Sequence, residues 1–397
     1  MLIELSATSY IGIKASGISN TNRDDFPYQY RQIQALLNKR ENTDNDFYRT
    51  DTDIFYNRNE PYLYGYSGVS LFSSTTNTDI VKFMLGLGLY GNRQTHNFFT
   101  YVDTSPLTST FINMRYMVSH LSENLDKSVY WKSIGKIGDS LLLENKYYLP
   151  LGFMINSQLI EYRQHVNPFV SQNNFFHLAT GLPGNLFTIY DISSLGDNNN
   201  ERNITTWSYQ VPITGMSYAC CMILKPDFHE QMEININGTV FPTFPMDDCS
   251  PYIFTLGNVI QGDDITFSLE IDKAALYVGH LNSELFEQGY NLLTRAPLKL
   301  TKFTNTQVCG NVTALEDGLL YTSIPGDKNW NVFIDGVKSK ILLIDNAMIA
   351  VSLNKGYHEI EFRYFNKSFL VGIIVSLISL GLFVAMVLKN PTIHDSL

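Results

Sequence analysis

Aromatic side chains stand beside small polar ones at two places in this sequence, and that combination suits the binding of sugars. The first group lies between positions 62 and 93, and the second lies between 325 and 335. Sugar rings stack their C–H faces on aromatic rings, and their hydroxyls need fixed polar partners. Core packing is the alternative for both groups, since alternating tyrosines in a strand share one face and Trp330 could simply start a hairpin. The residues predicted to bind carbohydrate are Tyr66, Phe72, Ser73, Ser74, Asn77, Arg93, Asp327 and Trp330.

The sequence contains few motifs that indicate catalysis, phosphate binding or metal binding. H-E-x-x-H, G-x-S-x-G and the phosphate-binding G-x-x-x-x-G-K-[ST] are absent, and no two of the 8 histidines have i,i+4 ligand spacing. The glycines that follow Met84 are interpreted as part of an apolar run. Asp44, Asp46, Asp51 and Asp53 could offer oxygen ligands to Ca²⁺, but their spacing fits no calcium loop and favours a solvated acidic loop. We therefore predict no catalytic residue, no metal site and no cofactor.

An uncharged apolar run, FLVGIIVSLISLGLFVAMVL, occupies residues 369–388. At about 1.5 Å per residue a helix of this length spans roughly 30 Å, the hydrocarbon thickness of a bilayer. We predict a transmembrane helix over 367–389 that anchors the chain from Phe369 to Leu388. Gly372 and Ser376 are spaced for close packing against other transmembrane helices, although both residue types are also common in any such helix.

The net charge indicates which partners the chain can bind, and the cysteine spacing indicates which disulfides are possible. The formal net charge is -10 and there is no basic tract, so nucleic acid is not an expected partner, because its phosphates need clustered cations. The lipid bilayer is expected instead. The four cysteines, Cys220, Cys221, Cys249 and Cys309, form no C-x-x-C pair, and they are compatible with one or two disulfides or with buried thiols.

The N-terminal stretch MLIELSATSYIGIKASG lacks the basic and apolar regions of a signal peptide. One C-terminal span without an export signal predicts a tail-anchored cytoplasmic protein, the C-terminal piece of a longer polytopic protein, or the product of a truncated gene.

Hydrophobic periodicity divides the chain into parts. Residues 1–195 are predicted to form an α+β domain, with helices at 28–39, at 78–87, after Pro106 and at 167–181. The polar segment SLGDNNNERN marks a boundary. Short alternating segments over 204–366 predict an antiparallel β-sandwich domain, with hairpin turns at Asn237-Gly238 and Asp335-Gly336. The transmembrane helix at 367–389 and a short cytoplasmic tail at 390–397 follow.

Several strings resemble the bacterial YfhO family. They are GYSGVSLFSSTTN at 65–77, SPLTSTFINMRYMVSH at 105–120, NPFVSQNNFFHLATG at 167–181 and GLLYTSIPGDKNWNVFIDGVKS at 318–339, followed by NKGYHEIEFRYF and the apolar helix. The resemblance covers nearly the whole chain. It implies a GT-C type membrane glycosyltransferase that moves sugar from a polyprenyl-phosphate carrier to cell-wall polymers such as teichoic or lipoteichoic acid.

The resemblance is to the C-terminal part of the family. It implies that the catalytic carboxylate belongs to N-terminal membrane helices that this sequence does not match, so whether this chain is an enzyme is left open. We expect a bacterial cell-membrane location with the bulk of the chain on the extracytoplasmic face, and a glycan or polyprenyl-linked sugar and other transmembrane helices as partners. The alternative is a single-pass, membrane-anchored module of the cell surface that binds carbohydrate or another protein.

Overall fold

A computed structural model describes residues 8, 10, 30–40, 46–53, 58–102, 104–119, 129–199, 203–223, 230–241, 244–246 and 251–389. These residues form a mixed α and β structure with several antiparallel sheets and one long apolar helix at the C-terminal end. The predicted fold class is therefore confirmed.

The helices begin at polar caps. The side chains of Asn77, Ser105, Asn167 and Asn282 each accept a hydrogen bond from a backbone N–H in the first helical turn, which otherwise lacks a partner. Five predicted helices are confirmed, namely α1, α3, α4, α5 and α7 as bounded below, whereas α2 and α6 were not predicted. The helices are α1 (Tyr30–Leu37), α2 (Glu60–Tyr64), α3 (Thr78–Gly86), α4 (Pro106–Phe111), α5 (Pro168–Thr180), α6 (Ser283–Leu293) and α7 (Lys367–Lys389), with 3₁₀ turns at Ser157–Glu161 and Ser193–Leu195.

Two sheets belong to the first half of the chain. One has the strand order β1-β5-β7-β6, in which β1 runs parallel to β5 and the other pairs are antiparallel, and the other has the order β2-β4-β3. Their strands are β1 (Arg49–Thr52), β2 (Leu71–Phe72), β3 (Tyr90–Gly91), β4 (Phe98–Thr100), β5 (Met114–Ser119), β6 (Trp131–Ile137) and β7 (Ser140–Asn145).

A first β-sandwich follows. Its two sheets have the orders β10-β11-β17-β13-β14, with β15 also pairing β13, and β16-β12-β18-β9. Trp207 and Phe267 from one sheet share a buried cluster with Phe254 and Val278 from the other. The strands are β9 (Phe187–Asp191), β10 (Gly196–Asn199), β11 (Ile204–Gln210), β12 (Gly215–Met222), β13 (Gln231–Ile236), β14 (Thr239–Val240), β15 (Phe244–Pro245), β16 (Phe254–Val259), β17 (Asp264–Glu270) and β18 (Ala275–Leu281).

A second β-sandwich precedes the apolar helix. Its sheets have the orders β19-β20-β26-β22-β23 and β24-β25-β21-β8, and Val332 and Phe362 from one share a buried cluster with Leu320 and Val351 from the other. The strands are β8 (Gly152–Ile155), β19 (Lys299–Phe303), β20 (Gln307–Ala314), β21 (Gly318–Pro325), β22 (Trp330–Ile334), β23 (Val337–Ser339), β24 (Leu342–Ile344), β25 (Met348–Leu353) and β26 (Gly356–Tyr364).

Helices α3 to α6 and both sandwiches share the largest buried cluster. Phe111 of α4 packs edge-on against Phe175 of α5, with ring centroids 4.8 Å apart, and against Tyr321 of β21 at 5.5 Å. Strands β8 and β9 lie before the predicted boundary near 195–203 but pair with β21 and β18, which lie after it. The predicted two-domain division stays a prediction, and the core runs across that boundary.

Three local features bear on predictions made from the sequence: two hairpin turns, a glycine-containing segment and the cysteines. Asn237-Gly238 and Asp335-Gly336 both have the positive φ values that a type I′ turn requires, so these turns are confirmed. Gly86, Gly88 and Gly91 have the spacing G-x-G-x-x-G, but Gly86 ends helix α3 and Gly91 lies in β3, so the order is helix to strand, the reverse of the strand-to-helix order of a dinucleotide site. Cys220 and Cys221 are buried and Cys309 is half-buried, whereas Cys249 lies outside the described residues.

Helix α7 is the candidate transmembrane segment. Residues Lys367–Met386 have a mean hydropathy of 2.7, and none of this window is buried inside the protein. Phe369 is 68% exposed, no other part of the described structure lies near Gly372, and Ser376 is exposed, so the small-residue face is uncovered in this chain. The side chain of Leu388 and the predicted tail at 390–397 lie outside the described residues.

Candidate functional site

A cavity of about 620 Å³ lies where the first half of the chain meets the second sandwich. We call it the Arg49 cavity. Its wall takes Arg49 from the start of β1, residues 66–71 from the segment after α2, Ile80 and Met84 from α3, and Ser323 and Pro325 from the end of β21. Among the described residues that line it, only Arg49 carries a charge. Its full lining is Arg49, Pro61, Tyr62, Tyr66, Ser67, Gly68, Val69, Ser70, Leu71, Thr76, Ile80, Met84, Phe99, Ile112, Asn305, Ser323, Pro325 and Met348.

Arg49 is held by oxygen atoms from two distant segments. Its Nη1 donates to the carbonyl oxygen of Ile112 at 3.0 Å and to Oγ of Ser323 at 2.8 Å, and its Nη2 donates to the carbonyl oxygen of Ser323 at 2.9 Å. Burial lowers the pKa of Arg49 to about 10, so the guanidinium stays charged at neutral pH. In the described part of the chain no carboxylate forms an ion pair with it.

Asp51, two residues along the same strand, does not line the cavity but contacts two residues that do, Val69 and Ser70. Its carboxylate accepts hydrogen bonds from the backbone N–H groups of Val69 at 2.8 Å, Ser70 at 2.7 Å and Thr52 at 3.0 Å. Burial raises the pKa of Asp51 to about 6, and these hydrogen bonds oppose that rise because they favour the charged form. The segment 69–70 is thereby fixed against β1.

The solvated acidic loop expected around these residues is wrong for two of them. Asp51 is 1% exposed and Asp53 is 5% exposed, and the Asp53 carboxylate accepts a hydrogen bond from the hydroxyl of Ser119 on β5. Although β1 is the edge strand of its sheet and pairs with β5, Asp51 in this strand and Asp53 just after it are buried, and their carboxylates accept hydrogen bonds from backbone N–H groups and a hydroxyl instead of facing water. Asp46 instead pairs with Arg115, and Asp44 lies outside the described residues. The described residues contain no cluster of His, Cys, Asp or Glu suited to a metal ion.

The tyrosines of the first predicted group surround α2. Alternation on a strand was the packing interpretation, but residues 60–64 are helical, and Tyr62 is 77% exposed while Tyr64 and Tyr66 are buried. Tyr62 and Tyr66 both line the Arg49 cavity. Burial raises the pKa of Tyr66, whose hydroxyl has no hydrogen-bond partner within the described structure. Tyr66 is thus a predicted site residue that the structure does place in a cavity wall.

The loop over 72–77 connects two lining positions, Leu71 and Thr76, and its polar side chains serve local structure. The side chain of Asn59 bonds both the N–H and the carbonyl of Phe72, at 2.8 Å and 3.2 Å. Oγ of Ser73 accepts from the N–H of Thr75 at 3.2 Å, and Oδ1 of Asn77 accepts from the N–H of Asp79 at 3.0 Å. Phe72, Ser73, Ser74 and Asn77 therefore border the cavity without lining it.

Arg93 lies elsewhere. It lines a separate pocket of about 260 Å³, together with Lys82, His96, Gln164 and His165. Partial burial lowers the pKa of His96, and the nearby charges of Lys82 and Arg93 lower it further. The structure does not bring Arg93 into the cavity that contains Tyr66.

Asp327 and Trp330 lie at the end of the second sandwich that leads into α7. The rings of Trp330 and Tyr364 meet edge-on at 5.1 Å in paired positions of β22 and β26. Oδ1 of Asp327 accepts from the N–H of Asn329 at 2.7 Å, and the Asn329 carbonyl accepts from the N–H of Phe365 at 3.0 Å. These two predicted residues lie beside the link between β26 and α7, and only Pro325 of the second predicted group lines the Arg49 cavity.

The sequence model of one family, described as "Bacterial membrane protein YfhO", matches residues 1–376. The chain belongs to the YfhO family. It is 23% identical over 391 residues to the "Uncharacterized protein YfhO" of Bacillus subtilis (strain 168), a match that covers 89% of this chain and 44% of that protein. The chain thus spans less than half the length of that relative. The predicted family is confirmed.

Two solved structures resemble parts of this YfhO chain. One is the CBM36-1 domain of a multidomain xylanase from the hindgut metagenome of Trinervitermes trinervoides, with 15% identity over 23% of this chain and 95% of that chain and a TM-score of 0.18. The other is a cycloisomaltooligosaccharide glucanotransferase from Paenibacillus sp., with 11% identity over 52% of this chain and 50% of that chain and a TM-score of 0.19.

Two of the sequence segments that resemble the YfhO family supply residues to side-chain contacts in the structure. Ser323, in the segment TSIP, is the partner of Arg49. Asp335 and His358, from the DG turn and the later G-x-H string, bond to each other between Oδ2 and Nδ1 at 2.8 Å, and Nε2 of His358 lies 3.0 Å from the carbonyl oxygen of Asn354. The first contact lies in the wall of the Arg49 cavity, and the second joins the turn between β22 and β23 to β26.

Arg49 and Ser323 were missed as site residues. An arginine in the alternating segment FYRTDTDIFY could have indicated a site, because charged side chains are rarely buried without a partner. Its partner Ser323 is remote in sequence, so no local pattern connects the two.

Proposed function

We propose that this chain is the extracytoplasmic C-terminal region of a YfhO-type membrane protein that takes part in sugar transfer, and that the Arg49 cavity holds the glycan. The reaction would move sugar from a polyprenyl-phosphate carrier to a cell-wall polymer such as teichoic or lipoteichoic acid. Catalysis itself is assigned to family segments outside the region that this chain matches. Membership of the YfhO family and the apolar helix α7 support the membrane part of this proposal.

The observation that carries the glycan assignment is the composition of the Arg49 cavity. Its volume of about 620 Å³ falls in the range of small-molecule sites. Tyr62, Tyr66 and Phe99 contribute aromatic side chains to the wall, and Tyr62 is the exposed one of the three. Asn305 and Ser323 contribute an amide and a hydroxyl to the same wall as Arg49. This pairing of aromatic faces with fixed polar groups is the arrangement that a sugar ring requires.

The connection to α7 supports a position at the membrane surface. Strand β26 ends at Tyr364 and α7 begins at Lys367, so two residues separate the sandwich from the apolar helix. If α7 crosses the bilayer, the second sandwich lies against its surface.

Binding of methyl glycosides to the full chain in lipid nanodiscs, measured by calorimetry, tests the glycan assignment. Tyr62→Ala should weaken binding by about tenfold, since an aromatic contact contributes about 0.5–1.5 kcal/mol beyond its buried area. Tyr357→Ala is the matched control, because Tyr357 is also exposed but lies on β26 and does not line the cavity. Equal loss in both variants, or no binding by the parent chain, would count against the assignment.

The orientation needs its own test. Tyr357→Cys places a thiol at a position that is 58% exposed in the sandwich. In intact cells a membrane-impermeant maleimide should label this variant above the level of the parent chain. Labelling that appears only after the cells are lysed would place the sandwich in the cytoplasm.

A further inference from the structure

Among the described residues, none accepts a hydrogen bond along one edge of the Arg49 guanidinium. A guanidinium has five N–H donors, and Ile112 and Ser323 take three of them. The two Ser323 oxygens accept from Nη1 and from Nη2, the two nitrogens at the end of the guanidinium, and the Ile112 oxygen also accepts from Nη1. With Ser323 at that end, planar geometry leaves Nε–H and one N–H of Nη2, which run parallel along one edge.

That remaining edge is the one that binds a carboxylate or phosphate with two parallel hydrogen bonds. Placing a cation in a protein wall is costly unless an anion compensates it. No described carboxylate does so here, and the other described lining residues are uncharged. The nearest acidic group along β1, Asp51, is turned to the backbone N–H groups of Val69 and Ser70.

We propose that the Arg49 cavity binds a glycan that carries an anionic group, a phosphate or a carboxylate, with that group on the free edge of the Arg49 guanidinium and the sugar ring against Tyr62 and Tyr66. This inference rests on the glycan function proposed above and names the class of glycan.

The position of the guanidinium is already fixed before any ligand arrives. Its hydrogen bonds to Ser323 and Ile112 hold its plane, and its carbon lies 5.2 Å from the ring centroid of Phe47, which in turn stacks on Phe303 at 4.3 Å. Less conformational entropy is therefore lost when the anion binds.

The test compares charged and neutral probes on the full chain in nanodiscs by calorimetry. The probes are α-D-glucose 1-phosphate, D-glucuronate, methyl α-D-glucoside and inorganic phosphate. The parent chain should bind at least one charged sugar about tenfold or more tightly than the glucoside, because a hydrogen-bonded charge adds that much. The charged sugar that shows the preference identifies the phosphate or the carboxylate as the natural group, and either result supports the proposal.

Variants then show which residue causes the preference for charged over neutral sugars. Arg49→Met should abolish it and Arg49→Lys should reduce it, since lysine keeps the charge but lacks the two-pronged edge. Arg93→Met is the matched control, because it removes the same charge from the separate pocket and should leave the preference intact. Melting curves show whether each variant is folded. The parent chain also gives a measure that needs no variant, since added salt should weaken binding of the charged sugar more than binding of the glucoside.

The outcomes separate the two proposals. Equal affinities for charged and neutral sugars in the parent chain, or a preference that survives in Arg49→Met, would overturn the anionic site while the glycan function stands. Binding of inorganic phosphate that depends on Arg49, without binding of any sugar, would overturn the glycan function and keep the anion site. Absence of all binding overturns both.

Discussion

Arg49 and Ser323 are 274 positions apart, yet the guanidinium of one donates to both the hydroxyl and the carbonyl oxygen of the other. This contact joins β1 of the first sheet to β21 of the second sandwich. It also fixes the charged side chain in the cavity wall, so stability and the site depend on the same two residues.

Removal of the Ser323 hydroxyl tests the structural part of this contact. Ser323→Ala deletes one acceptor of the buried Arg49 and leaves the carbonyl bond, so the free energy of unfolding should fall by about 1–2 kcal/mol. Chemical denaturation in detergent measures it. Ser352→Ala, an exposed serine on β25, should change the value by less than about 0.5 kcal/mol. Equal effects in the two variants would show that the hydroxyl does not support Arg49.

Asp51 should make stability depend on pH. Its pKa is raised by burial from 3.8 to about 6, so between these values the folded state binds more protons than the unfolded state. Stability due to this group therefore falls as the pH rises from about 4 to about 6.

Asp51→Asn removes the titration and keeps an oxygen for Val69 and Ser70. The difference in unfolding free energy between variant and parent should change across that pH window, as thermal melts in a pH series would show. Parallel pH profiles would mean that Asp51 titrates in the fold as it does in water.

The His358–Asp335 pair should respond to pH in both directions. A hydrogen bond to Asp335 raises the pKa of His358, so its contribution is complete below about pH 6.5 and is lost as the pH rises through the higher folded value. A backbone hydrogen bond from Glu359 and the bond to His358 lower the pKa of Asp335, so its contribution is lost as the pH falls below about 4.

Protection of the β22–β23 hairpin against hydrogen exchange, taken relative to the intrinsic exchange rate at each pH, should therefore be greatest between about pH 4 and about pH 6.5. His358→Gln should abolish the change above about pH 6.5. Asp335→Asn is the safer partner variant, because Asp335 has a φ of 52° and asparagine tolerates that conformation. Unchanged exchange in His358→Gln would exclude the pair as the cause.

Asn77 connects a helix cap to the cavity. Its side chain caps α3, which places Ile80 and Met84 in the cavity wall. Asn77→Ala should cost about 1 kcal/mol of stability and weaken glycan binding by less than Tyr62→Ala does. Asn77→Asp keeps the cap and should restore both. If Asn77→Asp fails to restore binding, the amide itself contacts the ligand.

Features that depend on neighbouring residues were predictable from the sequence. The caps at Asn77 and Asn167 and the turn at Asp335-Gly336 follow from side chains that bond their own backbone or tolerate positive φ. Helix α6 gave a comparable signal, since Asn282 precedes buried Leu285, Phe286 and Leu293, but it follows directly on a strand and was read as part of a strand-rich region.

The site was less predictable because its residues meet only in the folded chain. Tyr66 was identified through its aromatic neighbours, whereas Arg49, Ile112 and Ser323 come from three distant strings that no local pattern connects. The second sandwich recruits β8 from the first half of the chain for the same reason. Pairing between segments far apart is decided by the whole core, which a reading of successive segments does not represent.

The two-residue connection between β26 and α7 limits how far the second sandwich can move relative to the helix. Nine residues from Gly356 to Tyr364 extend about 30 Å at about 3.3 Å each. The hydrogen bond from Phe365 to Asn329 and the packing of Trp330 on Tyr364 restrict the movement of β26 relative to the helix. If α7 crosses the bilayer, β26 holds the second sandwich against the lipid surface, and flexible residues inserted after Phe365 would loosen that attachment without altering the residues that line the Arg49 cavity.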